Sequence, residues 1–256
     1  MLFLHEVHRV AGAKEKEFEV AYRAGWMEAL AADGDARLLW FLHHAHGTGP
    51  SYQVVTVTAL ANGAAWERLA GRVQHGDLRG WAREVDSCRH DVQARLLMAL
   101  EFSPLDVDLA AVPTDGRRHE PALYMEDTMW PRRGKAEEYI AAAGSVYTKM
   151  LGSDAAPEAE RRRGRGPSGP PPKAARAEST SLISIEAAYQ TMPGAGRHPE
   201  VTLMQKVQDM PGLVRLLTTD MPDEMARPGN WMHDALEFRD QWRSKLLRTA
   251  SWSPLN

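Results

Sequence analysis

Histidine is the residue type whose placement in this chain could do chemistry. Seven of its ten copies, His5, His8, His43, His44, His46, His75 and His90, fall in the first 90 residues. A neutral imidazole in a pocket is a natural general base, because its ordinary pKa of about 6.5 lies close to neutrality. Successive side chains of a strand point to opposite faces. His5 and His8 therefore belong to opposite faces of one strand, and His44 and His46 share a face of another with Trp40 and Leu42, opposite His43. We take His5, His44 and Glu126 as the catalytic candidates. Glu126 and Glu186 are carboxylates on mixed or apolar strands, where burial would raise their pKa. Trp40, His43, Trp130 and Glu186 are candidates for touching substrate, with Trp130, beside Pro131, placed to stack on a flat ligand. The plainer alternative is that the histidines are rim residues at strand ends and that most of the eight tryptophans and twelve methionines fill the core.

Other chemistries find little support. His44 and His46 could chelate a metal, but no carboxylate stands at a fixed spacing, so no metal site is assigned. There is no GxGxxG, Walker loop, HExxH or GxSxG. Cys88 is the lone cysteine and sits at helical spacing, as a small buried hydrophobe would. A single cysteine excludes an intramolecular disulfide framework and fits a reducing compartment. The formal net charge of −3 gives no case for nucleic acid. No apolar run approaches the roughly 18 residues that span a bilayer. A cytoplasmic chain without membrane partner is expected, from a GC-rich bacterial genome judging by its Ala, Arg and Gly.

The elements that must hold these residues are short. Period-two alternation makes Leu2–Val10 a strand. Phe18, Tyr22, Trp26 and Leu30 recur every four residues and predict a helix over 14–32. Strands over 37–46 and 53–60 follow, then helices over 64–73 and 78–90, then a strand over 93–102. This is the split β-α-β order of ferredoxin-like folds. Such a sheet leaves one apolar face uncovered, and a second sheet is the usual cover.

The second sheet is written in the same chain. QARLLMALEFSPL at 93–105 returns as RSKLLRTASWSPL at 243–255, a constant 150 positions later, and Trp81 has Trp231 at the same spacing. Lys14, Glu17 and Phe18 find Lys135, Glu138 and Tyr139 at 121, and QVVTVT finds EVTLMQ at 147. We expect one module at 1–105, a linker at 106–121 and a second module at 122–256. The second carries a mobile Pro/Gly/Arg-rich insertion at 154–179. The histidines are not repeated: His5 aligns with Glu126, and 43–46 roughly with 188–191.

The strand-turn-helix segments HRVAGAKEKEF and WPRRGKAEEY, with the repeated LL…(F/W)SPL, resemble the dimeric α+β barrel superfamily in two fused copies. That group includes NIPSNAP-like proteins and antibiotic-biosynthesis monooxygenases. The resemblance implies an α+β fold of tandem ferredoxin-like modules whose antiparallel sheets meet face to face. It implies ligands between sheet and helices or inside the barrel. It also implies an oxygenase on an aromatic, polyketide-like quinol or phenol, with a pocket histidine removing the hydroxyl proton. Reduced flavin, haem or no cofactor all stay open under it. So does a non-catalytic ligand-binding or scaffold role. A monomer or a homodimer fits equally.

Overall fold

The computed structural model describes residues 1–148 and 182–256. The expected insertion at 154–179 lies outside the described residues. The eight strands are β1 (Leu2–Val10), β2 (Ala36–His44), β3 (Gln53–Leu60), β4 (Arg89–Ala99), β5 (Leu123–Pro131), β6 (Ile183–Thr191), β7 (Val201–Val207) and β8 (Arg239–Thr249). They close into one antiparallel barrel in the order β1-β3-β2-β8-β5-β7-β6-β4. The two four-stranded sheets face each other, as expected, and two three-residue seams join their edges. Leu42–His44 pair with Leu247–Thr249, and Leu97–Ala99 with Tyr189–Thr191. Closure removes the open edges that a lone sheet would expose.

The repeat is visible in the register. His5 faces Val57 and Arg95, and Glu126 faces Met204 and Lys245. Bulges interrupt β1 after Arg9 and β5 after Trp130. They interrupt β2 at Leu39 and β6 at Glu186. That second pair aligns His43 with Gln190 and His44 with Thr191, two residues beyond the rough alignment read from sequence.

β4 stops at Ala99, short of the expected 102, and β8 stops at the matching Thr249, because the chain turns immediately afterwards. Ser103 N bonds Leu100 O at 2.9 Å and Ser253 N bonds Ala250 O at 3.0 Å. Each Ser-Pro-Leu segment then crosses to the other half. Ser103 Oγ accepts from Ala188 N at 3.0 Å, and Ser253 Oγ accepts from Phe41 N at 3.1 Å. Trp252 is buried in the core of the first half, and Phe102 packs against that of the second.

Three apolar cores result. One fills the barrel, where Phe3, Trp40, Val57, Tyr124, Tyr189 and Leu247 meet. Residues of the expected linker join this core: Val112 is buried in it, with Val107 and Leu109 packed against it. The other two lie between each sheet and its helices. Each large side chain so buried contributes roughly 1.5–3 kcal/mol.

In the first half the covering helix runs through Glu15–Val20, a π-helical stretch Ala21–Trp26 and Met27–Asp33. Gly34, at φ 76°, ends it in the left-handed region. Gly63–Gln74, capped by the Asn62 side chain, and Arg79–Ser87 complete that layer. The second half uses a helix over 136–148, then Met210–Thr218 and the short Trp231–Asp234. Among the described residues, no helix is long and apolar enough to cross a membrane.

Candidate active site

The first half keeps a cavity between its sheet and its helices, of about 150 Å³. Leu4 and Glu6 of β1 form its floor, with Ala94 and Arg89 of β4 beside them. Tyr22 and Trp26 reach it from the π-helical stretch, and Trp66, Leu69, Val73 and Trp81 from the other two helices. Gln74 and Ala94 are exposed and mark its opening. The π-turn suits this place, since such bulges recur where a helix must present side chains to a site. Trp81 Nε1 donates to Ala21 O at 2.9 Å, at the start of that stretch. Trp81 stacks on Trp26 at 4.4 Å and 12°. A Cβ on Gly25 would lie 2.7 Å from Trp81 Cδ1, so glycine is what lets the indole approach.

Behind the aromatic wall lies a polar chain. Arg89 Nη1 stands 2.8 Å from His8 Nδ1. A guanidinium only donates, so Nδ1 accepts and the ring proton sits on Nε2. That N–H has two acceptors, Thr56 Oγ1 at 3.1 Å and the Tyr22 hydroxyl at 3.2 Å. Thr56 in turn donates to Glu6 Oε2 at 3.4 Å. Burial, with Arg89 and His5 adding to it, holds His8 well below the ordinary imidazole value, so it is neutral. Burial pushes the Glu6 carboxyl up, against Arg89, Thr56 and Tyr22. Burial also lifts the Tyr22 hydroxyl well above its usual range, so it keeps its proton. Glu6, with 15% of its side chain accessible, is thus a strengthened base at a cavity wall, with a fixed cation beside it.

The sequence candidates fall in six places. His5 and Glu126 meet at the barrel centre, both fully buried, with Nε2 2.7 Å from Oε2. Lys245 Nζ donates to Glu126 Oε1 at 2.9 Å, and Arg95 lies 3.7 Å from the same oxygen. Burial opposes ionisation of Glu126, but His5, Lys245 and Arg95 outweigh it and hold the carboxyl well below its ordinary value. With two fixed cations on the carboxylate, His5 donates its Nε2–H to Glu126 and needs no second proton. Burial, followed by Arg95, lowers it to about 4. These four are repeat mates, His5 with Glu126 and Arg95 with Lys245. A dimer of identical modules would set like against like here, and fusion allows acid against base.

His44 stands at the upper mouth of the barrel, its Nδ1 donating to Pro50 O at 3.2 Å. Trp130 is half-buried, its indole donating to Glu200 at 2.6 Å. His43 faces the first helix, 3.3 Å from Glu15 and 3.7 Å from Glu19. Trp40 is buried in the barrel core. Glu186 sits on the β6 bulge, where Ser184 donates to it at 2.7 Å. The structure therefore joins His5 to Glu126 and leaves His44, Trp40, His43, Trp130 and Glu186 apart from them.

Solved structures share this architecture. A provisionally named monooxygenase from Lactobacillus acidophilus NCFM superposes with a TM-score of 0.55 at 9% identity, over 99% of this chain and 97% of its own. A second, from Fusobacterium nucleatum, gives 0.56 at 6%, over 97% and 91%. An anthrone oxidase-like protein gives 0.53 at 7%, over 97% and 91%. The chain shares their fold, two ferredoxin-like halves closed into one barrel. No family model matches its sequence, and no curated protein does.

Within this barrel the sheet–helix cavity is smaller than the roughly 300–1,000 Å³ of ordinary ligand pockets. It has the size of cavities that take up benzene. It is too small for the three fused rings of a flavin or the tetrapyrrole ring of a haem. Among the described residues no cluster of His, Cys, Asp or Glu could hold a metal ion.

Sequence reading had missed Glu6, Tyr22 and Arg89. Glu6 was legible as a lone carboxylate on an apolar strand, and Tyr22 as a member of the helix stripe. Their meeting with Arg89 was not legible, because it needs the register of β1 on β4.

Proposed function

We propose that this protein is an oxygenase acting on a one-ring quinol held in the first half's sheet–helix cavity. The observation that carries the reading is the convergence of Glu6, Tyr22 and Arg89 on a benzene-sized space walled by three indoles. The apolar wall accepts the ring and excludes water. Glu6 takes the hydroxyl proton, and Arg89 stabilises the oxyanion left behind. His8, locked neutral, holds Thr56 and Tyr22 in place around the carboxylate. The anion is electron-rich enough to reduce dioxygen. One oxygen atom replaces a ring hydrogen and the other leaves as water, so the quinol departs as a hydroxyquinone. The substrate supplies all four electrons. The polyketide-sized substrate suggested by the resemblance exceeds the cavity, whereas a single ring fits it.

The test is oxygen uptake with methylhydroquinone, corrected for autoxidation, with isotopic dioxygen to trace the incorporated atom. Labelled hydroxyquinone from the wild-type chain, lost in Glu6→Gln, supports the reading. Uptake no faster than the uncatalysed background overturns it.

A further inference from the structure

The barrel has a second cavity, unrelated to the sheet–helix pocket. It opens at the upper mouth of the lumen and encloses about 400 Å³. Its floor is Lys245, the upper member of the buried His5–Glu126 cluster. Its walls come from both halves: Val7 and Arg9 of β1, His44 of β2, Gln53 of β3, Gln93 of β4 and Arg243 of β8.

Charge is unbalanced here. In the lumen Lys245 and Arg95 are matched by Glu126 and Glu200. At the rim Arg9 is matched by Asp91 at 2.7 Å. Arg243 is left over. Among the described residues no carboxylate pairs with it, and its nearest partner is the Trp130 ring at 5.7 Å. His44 is also incomplete. Its Nδ1 proton goes to Pro50 O, so Nε2 carries the lone pair, and that atom is buried without a partner. Val7 and Pro50 supply apolar wall between these polar groups.

We propose that the barrel mouth is a binding site for a small organic monocarboxylate. Arg243 receives the carboxylate, since a guanidinium fork matches its two oxygens. Gln53 and Gln93 are within the same wall to donate further hydrogen bonds. The carbon chain lies against Val7 and Pro50. One surplus cation calls for a monoanion, which sets the ligand apart from phosphate. The anion also gives His44 a reason to take up a proton on Nε2, because that N–H would then donate to it.

The test is a titration of the full chain with butyrate, followed by backbone amide shifts in NMR. Butyramide, its uncharged isostere, and inorganic phosphate are the comparators. Saturable shifts centred on Gln53, Gln93 and Arg243 are expected with butyrate. Arg243→Gln should weaken binding at least tenfold, and Arg248→Gln, on the outer face of the same strand, should leave it unchanged. Arg243 is exposed, so its substitution spares the fold. Equal binding of butyramide, tighter binding of phosphate, equal loss in both arginine variants, or no saturable shift would each overturn the proposal.

Discussion

The same register places Glu6, His8 and Arg89 in the first half and Asp127, Met129 and Arg239 in the second. The helices that cover them differ in parallel. Phe18, Tyr22 and Trp26 become Tyr139, Ala143 and Tyr147. In the second half the acid is tied down, with Ser244 and Gln205 both donating to Asp127. Tyr139, Tyr147 and Trp231 pack ring to ring beside it. In the first half the acid is held more loosely, by a 3.4 Å bond from Thr56 and by the Tyr22 hydroxyl, and the indoles stand back around a cavity. An acid and an arginine are thus common to both modules, and what separates them is whether the acid is left free to act. Duplication explains the frame, and the loss of symmetry locates the chemistry.

The sharpest way to break this comparison is to neutralise the two acids separately. Glu6→Gln should lower turnover of a monocyclic quinol by about 100- to 10,000-fold, the usual contribution of a positioned base. Asp127→Asn should change it less than about twofold. Equal losses in steady-state oxygen uptake would mean that the halves are not functionally distinct.

The barrel centre should respond in stability instead. Glu126→Ala leaves Lys245 and Arg95 buried without their shared carboxylate. Removing one partner of a buried ion pair costs about 3–5 kcal/mol. Urea denaturation would show it. A loss below about 1 kcal/mol would mean that water reaches the cluster and screens it.

That cluster also sets a pH dependence. His5 titrates at about 4 in the folded chain and at about 6.5 when unfolded. Between those values the unfolded chain binds a proton that the folded chain refuses. Stability is therefore full above the unfolded value, falls as pH drops through the window, and levels off below about 4. The shift corresponds to roughly 3 kcal/mol. His8 acts in the same direction. Glu126, held low, loses its contribution only at still more acid pH. Urea midpoints from pH 7.5 to 4 should fall in wild type and fall less steeply in His5→Gln, which keeps an N–H donor for Glu126 and leaves the contribution of His8 in place.

Much of this frame was legible in advance. Strand alternation, the four-residue stripe from Phe18 to Leu30 and the repeated Ser-Pro-Leu segments were enough for the elements and their pairing, because each rests on local periodicity. The expected helix over 78–90 shrank to Arg79–Ser87 because β4 begins four residues before Gln93. The site was less legible. His5 and Glu126 stood out as repeat mates of unlike chemistry, yet nothing in the sequence says that mates must touch. They do so because β1 and β5 lie on opposite walls of one barrel. Arg89 fell in the expected helix over 78–90, and only the early start of β4 and the bulge at Val10 bring it onto His8. The π-turn had no sequence signal beyond Gly25.

Gly25 offers the smallest and most local test. Its counterpart across the repeat is Val146, so the second half tolerates a branched side chain at the same helical position. In the first half a methyl group would strike Trp81 at the edge of its ring. Alanine in place of glycine gains up to about 1 kcal/mol of helix propensity. Forcing a methyl into a filled space costs about 1–3 kcal/mol. The collision involves a stacked indole already anchored to Ala21 O, which cannot rotate away without losing that bond. Gly25→Ala should therefore cost a net ~1 kcal/mol by the same balance and raise the KM for the quinol as Trp81 shifts at the cavity wall. The matched change Val146→Ala should leave KM unaltered. A stabilised Gly25→Ala chain with unchanged KM would show that Trp81 is free to move, and that the two halves differ less than their side chains suggest.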